Sequence, residues 1–278
     1  MPISKQEKDC CGCTACQSIC PNSAINMVPD SLGFKYPIID SEKCIDCGLC
    51  EKACSFNENY NTKNNYSKPE PYGARLKDIN DLLKSRSGGV FVALSNHILD
   101  QGGVIYGAGY KEHFRVVHKR ATTKIERDEF RGSKYVQSDL EGVFPLVKKD
   151  LIDGLSVLFS GTPCQVAGLK AYLPEKHQNK LYTIDIVCHG VPSPNIWDDY
   201  LTYIENKEKK KILSVDFRNK VKYGWKAHME TFNLGYPEAS ITTSTYRYLF
   251  YKEIMQRPSC GKCHFCNLRR PSDITIAD

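Results

Sequence analysis

Residues 10–21 read CCGCTACQSICP, and residues 44–55 read CIDCGLCEKACS. Both stretches contain the spacing C-x2-C-x2-C-x3-C, and each cysteine of the second run lies 34 residues after its counterpart in the first. Nine of the fourteen cysteines fall in this short region. The repeat predicts a small N-terminal domain built from two similar halves, each of which presents closely spaced thiols.

The two cysteine runs predict two 4Fe–4S clusters. In bacterial two-cluster ferredoxins, three cysteines of each run bind one cluster and the fourth binds the other. On this pattern the first cluster takes Cys10, Cys13, Cys16 and Cys54. The second cluster takes Cys44, Cys47, Cys50 and Cys20. Zinc is the alternative, but zinc sites favour two cysteine pairs separated by a dozen or more residues.

Two residues of this region depart from the pattern. Ser55 stands where the second run would have proline, and we expect a looser turn there without a lost ligand. Cys11 is a ninth cysteine with no assigned role, and we expect it to be a packed thiol.

Composition indicates a soluble protein of ordinary hydrophobic (41%) and charged (25%) content. No stretch approaches 18 consecutive apolar residues and the N-terminus has no apolar signal region, so we expect no membrane span and a cytoplasmic location. Cysteines in a reducing cytoplasm are better interpreted as metal ligands than as disulfides. The net charge of +6 is spread along the chain and does not indicate nucleic-acid binding.

The chain organisation after the cysteine runs predicts a linker and then an α/β domain. Residues 57–66 are polar and rich in asparagine, which favours a linker over 61–71 after a ferredoxin domain at 1–60. Beyond it, predicted strands and helices alternate, which favours a mostly parallel sheet. The predicted strands are 103–109, 114–118, 155–160, 181–187, 215–217 and 228–234. The predicted helices are 89–99, 140–150, 164–173, 194–205 and 246–255. The fold class is therefore α+β, with a two-cluster ferredoxin domain followed by a mixed α/β domain in two parts, 72–150 and 151–278.

A second cysteine constellation lies in the α/β domain. Cys164 falls in the first turn of a predicted helix, after an expected Thr162 N-cap, where a helix N-terminus favours a thiolate, a phosphate or a flavin edge. Cys188 ends the next predicted strand, and neighbouring parallel strands end side by side. Cys260, Cys263 and Cys266 form a C-x2-C-x2-C run that needs further ligands to close a site. Together these cysteines predict a third 4Fe–4S cluster, with a structural zinc ion as the alternative.

Five ordered motifs then give the chain a family resemblance. They are SGGVF at 87–91, FRGSKYVQS at 130–138, GTPCQ at 161–165, CHG at 188–190 and RPSCGKC at 257–263. With them the chain resembles the coenzyme F420 hydrogenase/dehydrogenase beta-subunit family over nearly its whole length. The resemblance implies that the α/β domain binds FAD and a 4Fe–4S cluster.

The resemblance also implies which residues hold these groups. The flavin would be lined by Ser87, Gly88, Gly89, Lys134, Tyr135, Gly161, Thr162 and Pro163. The cluster would be held by Cys164, Cys188, Cys260 and Cys263, which leaves Cys266 outside the family's pattern. Family members continue beyond the position of Asp278, so we expect a C-terminally truncated flavin domain.

These observations predict an iron–sulfur flavoprotein oxidoreductase. Electrons would pass between ferredoxin-type clusters and FAD, with a redox partner protein or subunit on one side. A small-molecule hydride donor or acceptor, coenzyme F420 or another compound, would react on the other. Two alternatives remain open: a non-catalytic electron-transfer subunit of a larger complex, and a zinc-stabilised interaction protein. No residue identifies itself as catalytic.

Overall fold

The computed structural model describes residues 5–57, 60, 65, 68–225, 229–235 and 240–277. The helices are α1 (Ala15–Ile19), α2 (Leu49–Lys52), α3 (Ile79–Lys84), α4 (Val90–Asp100), α5 (Lys124–Asp128), α6 (Val143–Ile152), α7 (Pro163–Tyr172), α8 (Pro194–Glu208), α9 (Lys220–Tyr223) and α10 (Thr245–Tyr251). The strands are β1 (Ile25–Pro29), β2 (Lys35–Ile39), β3 (Val104–Tyr110), β4 (Val116–Ala121), β5 (Val157–Gly161), β6 (Leu181–Ile186), β7 (Ser214–Phe217), β8 (Glu230–Asn233), β9 (Ser240–Thr243) and β10 (Ile274–Ile276). Most of the predicted linker, 61–71, lies outside the described residues.

The N-terminal domain shows its sequence repeat in the backbone. Helices α1 and α2 each follow a cysteine loop, and each is preceded by a residue in the left-handed conformation, Thr14 (φ 64°) and Gly48 (φ 71°). Strands β1 and β2 form an antiparallel hairpin between the two runs. Its turn is closed by Asp30, whose Oδ1 accepts hydrogen bonds from the backbone N–H groups of Leu32 at 2.9 Å and Phe34 at 2.8 Å.

The larger domain is built on a sheet in which the described strands run in the order β10-β6-β5-β3-β4. Among these described strands only the β3–β4 pairing is antiparallel, so the predicted mostly parallel sheet is confirmed. Alternate residues of β5 face opposite sides. Val157 and Phe159 pack with residues of α6 and α7, whereas Leu158 packs in a second cluster with residues of α4 and β6. The sheet is thus covered by helices on both faces, as a parallel sheet requires.

A small antiparallel sheet, β7-β8-β9, packs against α8 and α10. An aromatic cluster fills this interface, with Trp197 at its centre against Phe217, Phe232 and Tyr246. Strand β9 and helices α3, α5 and α9 were not predicted from the sequence. The predicted strand 228–234 starts at Glu230, with residue 228 outside the described residues, and the predicted helix 246–255 ends at Tyr251. Within the described part of the chain, no helix is long and apolar enough to span a membrane.

The N-terminal domain shares a hydrophobic core with the sheet. Cys13, Ala15 and Ala53 are buried in the same cluster as Phe144 and Val166. Polar contacts surround this core. The hydroxyl of Ser193 donates to the Leu32 carbonyl at 2.6 Å, the side-chain amide of Asn195 donates to the Ser31 carbonyl at 2.9 Å, and the His264 ring contacts the Ser55 carbonyl at 2.8 Å.

Gly168 on α7 provides the space for this docking. A Cβ atom at this position would lie 2.7 Å from Sγ and 2.8 Å from Cβ of Cys13, closer than such atoms approach in proteins. Because the neighbouring atoms belong to a short side chain held by its own loop, the contact cannot be relieved by a flexible side chain. The cysteine loop therefore reaches α7 only where the helix has no side chain.

We expect the substitution Gly168→Ala to lower the free energy of unfolding by about 1–2 kcal/mol, because overpacking a core outweighs the gain in helix propensity. Thermal unfolding of the iron-loaded protein, followed by fluorescence, measures the effect. Gly73→Ala is the control, since no atom lies within 4 Å of the position its Cβ would take. Equal melting temperatures for the two variants would contradict the docking described here.

Candidate metal centres

The first cysteine group gathers Cys10, Cys13, Cys16 and Cys54. Burial raises the pKa of the Cys16 thiol, and the neighbouring thiols of Cys13, Cys10 and Cys54 raise it further. Burial likewise raises the pKa of Cys54 to about 11, with a contribution from Cys13. These mutual effects require the side chains to face one another. The fold thus brings the last cysteine of the second run to the first three of the first run.

The second group lies nearer the surface. A pocket of about 380 Å³ is lined by Cys20, Cys44, Cys47 and Cys50 together with residues of the loop between them. Cys47 is exposed, and the pocket is flanked by Ile45, which is 63% exposed. The Sγ atom of Cys20 accepts a hydrogen bond from the backbone N–H of Ala24 at 3.3 Å. The two predicted tetrads of the repeat therefore differ in their access to solvent.

A third group forms where β5 and β6 end. Cys164 lies in the first turn of α7, Cys188 follows β6, and Cys260 lies in the 3-10 turn Pro258–Lys262. Burial raises the pKa of Cys188 to about 12, and the next cause is the thiol of Cys164, followed by those of Cys260 and Cys263. The side-by-side ends of β5 and β6 bring Cys164 and Cys188 together, and the turn Pro258–Lys262 adds Cys260 and Cys263.

Cys266 stands apart from this group. Its side chain is exposed, and its thiol donates to the backbone carbonyl of Cys263 at 2.8 Å. Of the last three cysteines, Cys260 and Cys263 are the two that act on the Cys188 thiol. The thiol of Cys266 also acts on a neighbour, since it raises the pKa of Cys263.

The donor atoms fit 4Fe–4S clusters. Each thiol of the first group accepts a hydrogen bond from a backbone N–H. The donors are Gly12 for Cys10, Ala15 for Cys13, Gln17 for Cys16 and Phe56 for Cys54. In the third group Gly190 N–H donates to Cys188 at 3.4 Å, and Val191 and Phe265 supply amides to Cys260 and Cys263. All-thiol sets with amide donors to sulfur are the environment of such clusters. Among the described residues, no three His, Cys, Asp or Glu side chains lie close enough together to hold a single metal ion.

Cys11 connects the first and third groups. Its thiol is buried within hydrogen-bonding reach of both Cys13 and Cys164. Hydrogen bonding with Cys13 and Cys164 raises the pKa of Cys11, and the same contacts lower the pKa values of Cys13 and Cys164. No local sequence pattern marks this position, because the contact joins residues that are far apart along the chain.

The glycine motif at the start of α4 adopts an unusual backbone. Ser87 (φ 47°) and Gly89 (φ 75°) are both left-handed. A Cβ on Gly88 would collide with the backbone carbonyl of Ala74, so only glycine fits there. The Ser87 carbonyl accepts a hydrogen bond from the Lys220 ammonium at 3.2 Å. The motif thus brings two chain segments into close backbone contact.

Lys134 and Tyr135 lie at the edge of the small sheet. The ammonium of Lys134 donates to the carbonyl of Glu129 at 2.6 Å and that of Arg131 at 3.3 Å, and desolvation lowers its pKa to about 7. Tyr135 packs edge-on against Phe217 and lines a cavity of about 300 Å³ between β8 and α10. The Lys134 ammonium therefore binds carbonyl groups of its own loop, while the Tyr135 ring lines an aromatic cavity.

Gly161, Thr162 and Pro163 form the turn from β5 into α7. Pro163 occupies the first turn, and Gln165 Oε1 accepts a hydrogen bond from the Thr162 N–H at 2.9 Å, as the capping motif predicts. The Thr162 hydroxyl also lies 3.2 Å from Sγ of Cys164. The structure thus places this part of the predicted flavin lining directly beside the third cysteine group.

A buried polar chain behind this turn was missed by the sequence analysis. Gln165 Nε2 donates to the Ser138 hydroxyl at 3.0 Å, which lies 2.8 Å from Nδ1 of His118, whose Nε2 lies 2.9 Å from the Ser160 carbonyl. Burial lowers the pKa of His118 to about 4. A neutral His118 ring that accepts from the Ser138 hydroxyl and donates to the Ser160 carbonyl gives every polar group in this row a hydrogen-bond partner. This row of hydrogen bonds links the end of β5 to β4.

Comparisons with known proteins match two separate parts of the chain. The family model of the C terminus of the coenzyme F420 hydrogenase/dehydrogenase beta subunit matches residues 154–278, and a 4Fe–4S dicluster domain matches residues 9–57. The family resemblance carried by the motifs is therefore confirmed. A protein of the F420-reducing NiFe hydrogenase complex of Methanosarcina barkeri is 18% identical in sequence, with a TM-score of 0.48 over 73% of this chain and 71% of that one.

Curated relatives match short stretches of the chain. An iron–sulfur subunit of the CoB–CoM heterodisulfide reductase of Methanocaldococcus jannaschii is 39% identical over 66 residues, which covers 19% of this chain and 10% of that protein. An uncharacterized polyferredoxin-like protein of the same organism is 34% identical over 70 residues, 21% of this chain and 42% of that protein. The chain thus spans less than half the length of either relative. The chain thus combines a region similar to a 4Fe–4S dicluster domain, residues 9–57, with a region similar to the C terminus of the coenzyme F420 hydrogenase/dehydrogenase beta subunit, residues 154–278.

Proposed function

We propose that the protein is an iron–sulfur flavoprotein oxidoreductase with three 4Fe–4S clusters and one FAD. The first cluster would be held by the first cysteine group, the second by the second group, and the third by Cys164, Cys188, Cys260 and Cys263. The observation that carries this proposal is the contact of Cys11 with both Cys13 and Cys164. It makes the buried ends of two ligand groups neighbours, as electron transfer between them requires.

The surface position of the second group supports a docking role for it. Cys47 is exposed. The apolar side chains of Ile45 and Leu49 are exposed nearby, and that of Ile38 is exposed on the adjoining hairpin. Exposed apolar side chains next to a redox centre suit a protein partner. We propose that a redox partner protein or subunit exchanges electrons here. The first group, which is more buried, would then relay them inward.

The turn at Gly161–Pro163 supports a flavin next to the third group. Free amides at the start of α7 and a backbone without bulky side chains suit a flavin edge or phosphate. When bound, FAD converts one-electron exchange into two-electron hydride chemistry. Gly88 and Gly89 would let the backbone approach the cofactor, and Lys134 would offset negative charge on it. Coenzyme F420 or another small hydride carrier would be the substrate.

The proposal includes a domain division and a location. Residues 1–60 would form the ferredoxin domain and 61–71 a linker, and the flavin domain would comprise 72–150 and 151–278. Free cysteines in all fourteen positions, each of them among the described residues, suit a reducing cytoplasm.

One observation favours a second function, that of an electron-transfer subunit without a substrate site of its own. Lys134 is expected to face the flavin, yet its ammonium donates to carbonyl groups of its own loop, including Glu129 and Gly132. These hydrogen bonds hold the ammonium against its own loop, so it would have to leave them to bond directly to a cofactor. In this function the clusters would connect a partner enzyme to a further acceptor.

Iron, zinc and flavin content of anaerobically reconstituted protein separates these functions. The flavoprotein function predicts about twelve irons and one FAD per chain, since each cluster contains four irons. Bleaching of the flavin absorbance by a reduced deazaflavin or nicotinamide would then identify the hydride partner. About twelve irons without flavin would instead establish the electron-transfer function, and zinc with about eight irons would contradict the third cluster.

Single cysteine substitutions test the proposed ligands. We expect Cys188→Ser to lose about four irons per chain, because three cysteines hold a cubane poorly. Cys266→Ser should keep the full iron content, since the Cys266 thiol is exposed and bonded to a backbone carbonyl. Iron analysis and the low-temperature EPR spectrum of the reduced variants give the result. Loss of iron from the Cys266 variant alone would reverse the assignment.

A further inference from the structure

Arg257 lies between the first and third cysteine groups. It precedes the turn that carries Cys260, and its side chain is only 1% exposed. The guanidinium reaches into the N-terminal domain, where Nε donates to the Cys10 carbonyl at 2.6 Å and Nη2 donates to the Lys35 carbonyl at 2.8 Å. Nη1 donates to Oε1 of Gln137 at 2.9 Å. All three nitrogens are therefore hydrogen-bonded to neutral oxygen atoms.

The charge of Arg257 has no carboxylate beside it. Among the described residues, no Asp or Glu oxygen forms an ion pair with it, whereas the other strongly buried arginines are paired, Arg127 with Asp128 and Arg270 with Asp185. Its remaining neighbours are rings, with Tyr36 at 4.3 Å and Phe34 at 5.3 Å from the guanidinium carbon. Aromatic faces stabilise a cation only in part. A buried cation requires a nearby negative charge.

The cysteine groups supply that negative charge. Arg257 is bonded to both groups, since its Nε donates to the Cys10 carbonyl and its own carbonyl accepts a hydrogen bond from the Cys260 N–H at 2.9 Å. Its charge also lowers the pKa values of Cys10 and Cys13 in the first group and of Cys164 and Cys260 in the third. A cluster held by four thiolates is anionic, and reduction adds one further negative charge. A fixed cation next to such a cluster therefore favours the reduced state.

We propose that Arg257 is a shared counter-charge that raises the reduction potentials of the first and third clusters together, while its hydrogen bonds to Cys10 and Lys35 fix the N-terminal domain against the third group. The inference rests on the proposed third cluster. Arg257 is a positioning residue in this account, since it contacts the chain that carries the ligands. The second cysteine group lines a separate pocket, and Arg257 is not among the residues that line it.

Reduction potentials measured by EPR-monitored titration test this role. In Arg257→Gln we expect the equilibrium constants for reduction of the first and third clusters to fall at least tenfold. For a one-electron couple this is a decrease of about 59 mV in each reduction potential. The second cluster should keep its potential. In Arg257→Lys the reduction potentials of both clusters should stay close to their original values. The positive charge remains, although the hydrogen bonds of the guanidinium are lost.

A second variant tests the charge without removing the arginine. Gln137→Glu places a carboxylate against Nη1, so the potentials of the same two clusters should fall again, with no change in the second. Arg127→Gln is the control, since Arg127 is equally buried but bonds to Asn96 and other residues of α4. Iron content is measured for every variant, so that altered potentials are compared at equal cluster occupancy.

Three results would overturn the proposal. The first is an unchanged potential in the iron-loaded Gln variant or, if that variant does not hold its iron, in Gln137→Glu. The second is an equal shift in all the clusters, and the third is an Arg257→Lys shift as large as that of Arg257→Gln. A protein with only about eight irons would refute the proposed third cluster, and the shift of the first cluster would still decide the role of Arg257.

Discussion

The close approach of the first cysteine loop to helix α7 is the contact on which the rest of the arrangement depends. Gly168 admits the Cys13 side chain to the helix surface, and Cys11 then lies between Cys13 and Cys164. Because these residues belong to the same buried core as the sheet, the two domains cannot separate without exposing apolar surface. The hydrophobic effect thus fixes the relative position of two ligand groups that are far apart in the sequence.

The three cysteine groups differ in their solvent exposure and in the charges near them. The second group lines a pocket beside the exposed Cys47, whereas the first is enclosed between the N-terminal hairpin and α7. The first and third groups share the guanidinium of Arg257. Potentials of iron–sulfur clusters depend on hydrogen bonds to sulfur, solvent exposure and nearby charge. A single ligand type can therefore give clusters of different potential in one chain.

Local patterns predicted much of this arrangement, and long-range contacts account for what they missed. Cysteine spacing predicted a repeat, and the backbone shows it, with a short helix after each cysteine loop. The approach of Cys164 and Cys188 followed from the rule that parallel strands end side by side. Strand β9, with the sequence SITT, carries little hydrophobic signal and forms by pairing with β8. The roles of Cys11 and Arg257 depend on domain docking, which no local pattern encodes.

Anomalous diffraction at the iron edge from anaerobically grown crystals is the most direct test of the central claim, that three cluster sites adjoin within one chain. The account predicts three compact iron sites, one of them bounded by Cys164, Cys188, Cys260 and Cys263, with the Cys11 thiol between that site and the first. Two iron sites, with zinc or no metal among those four cysteines, would contradict it.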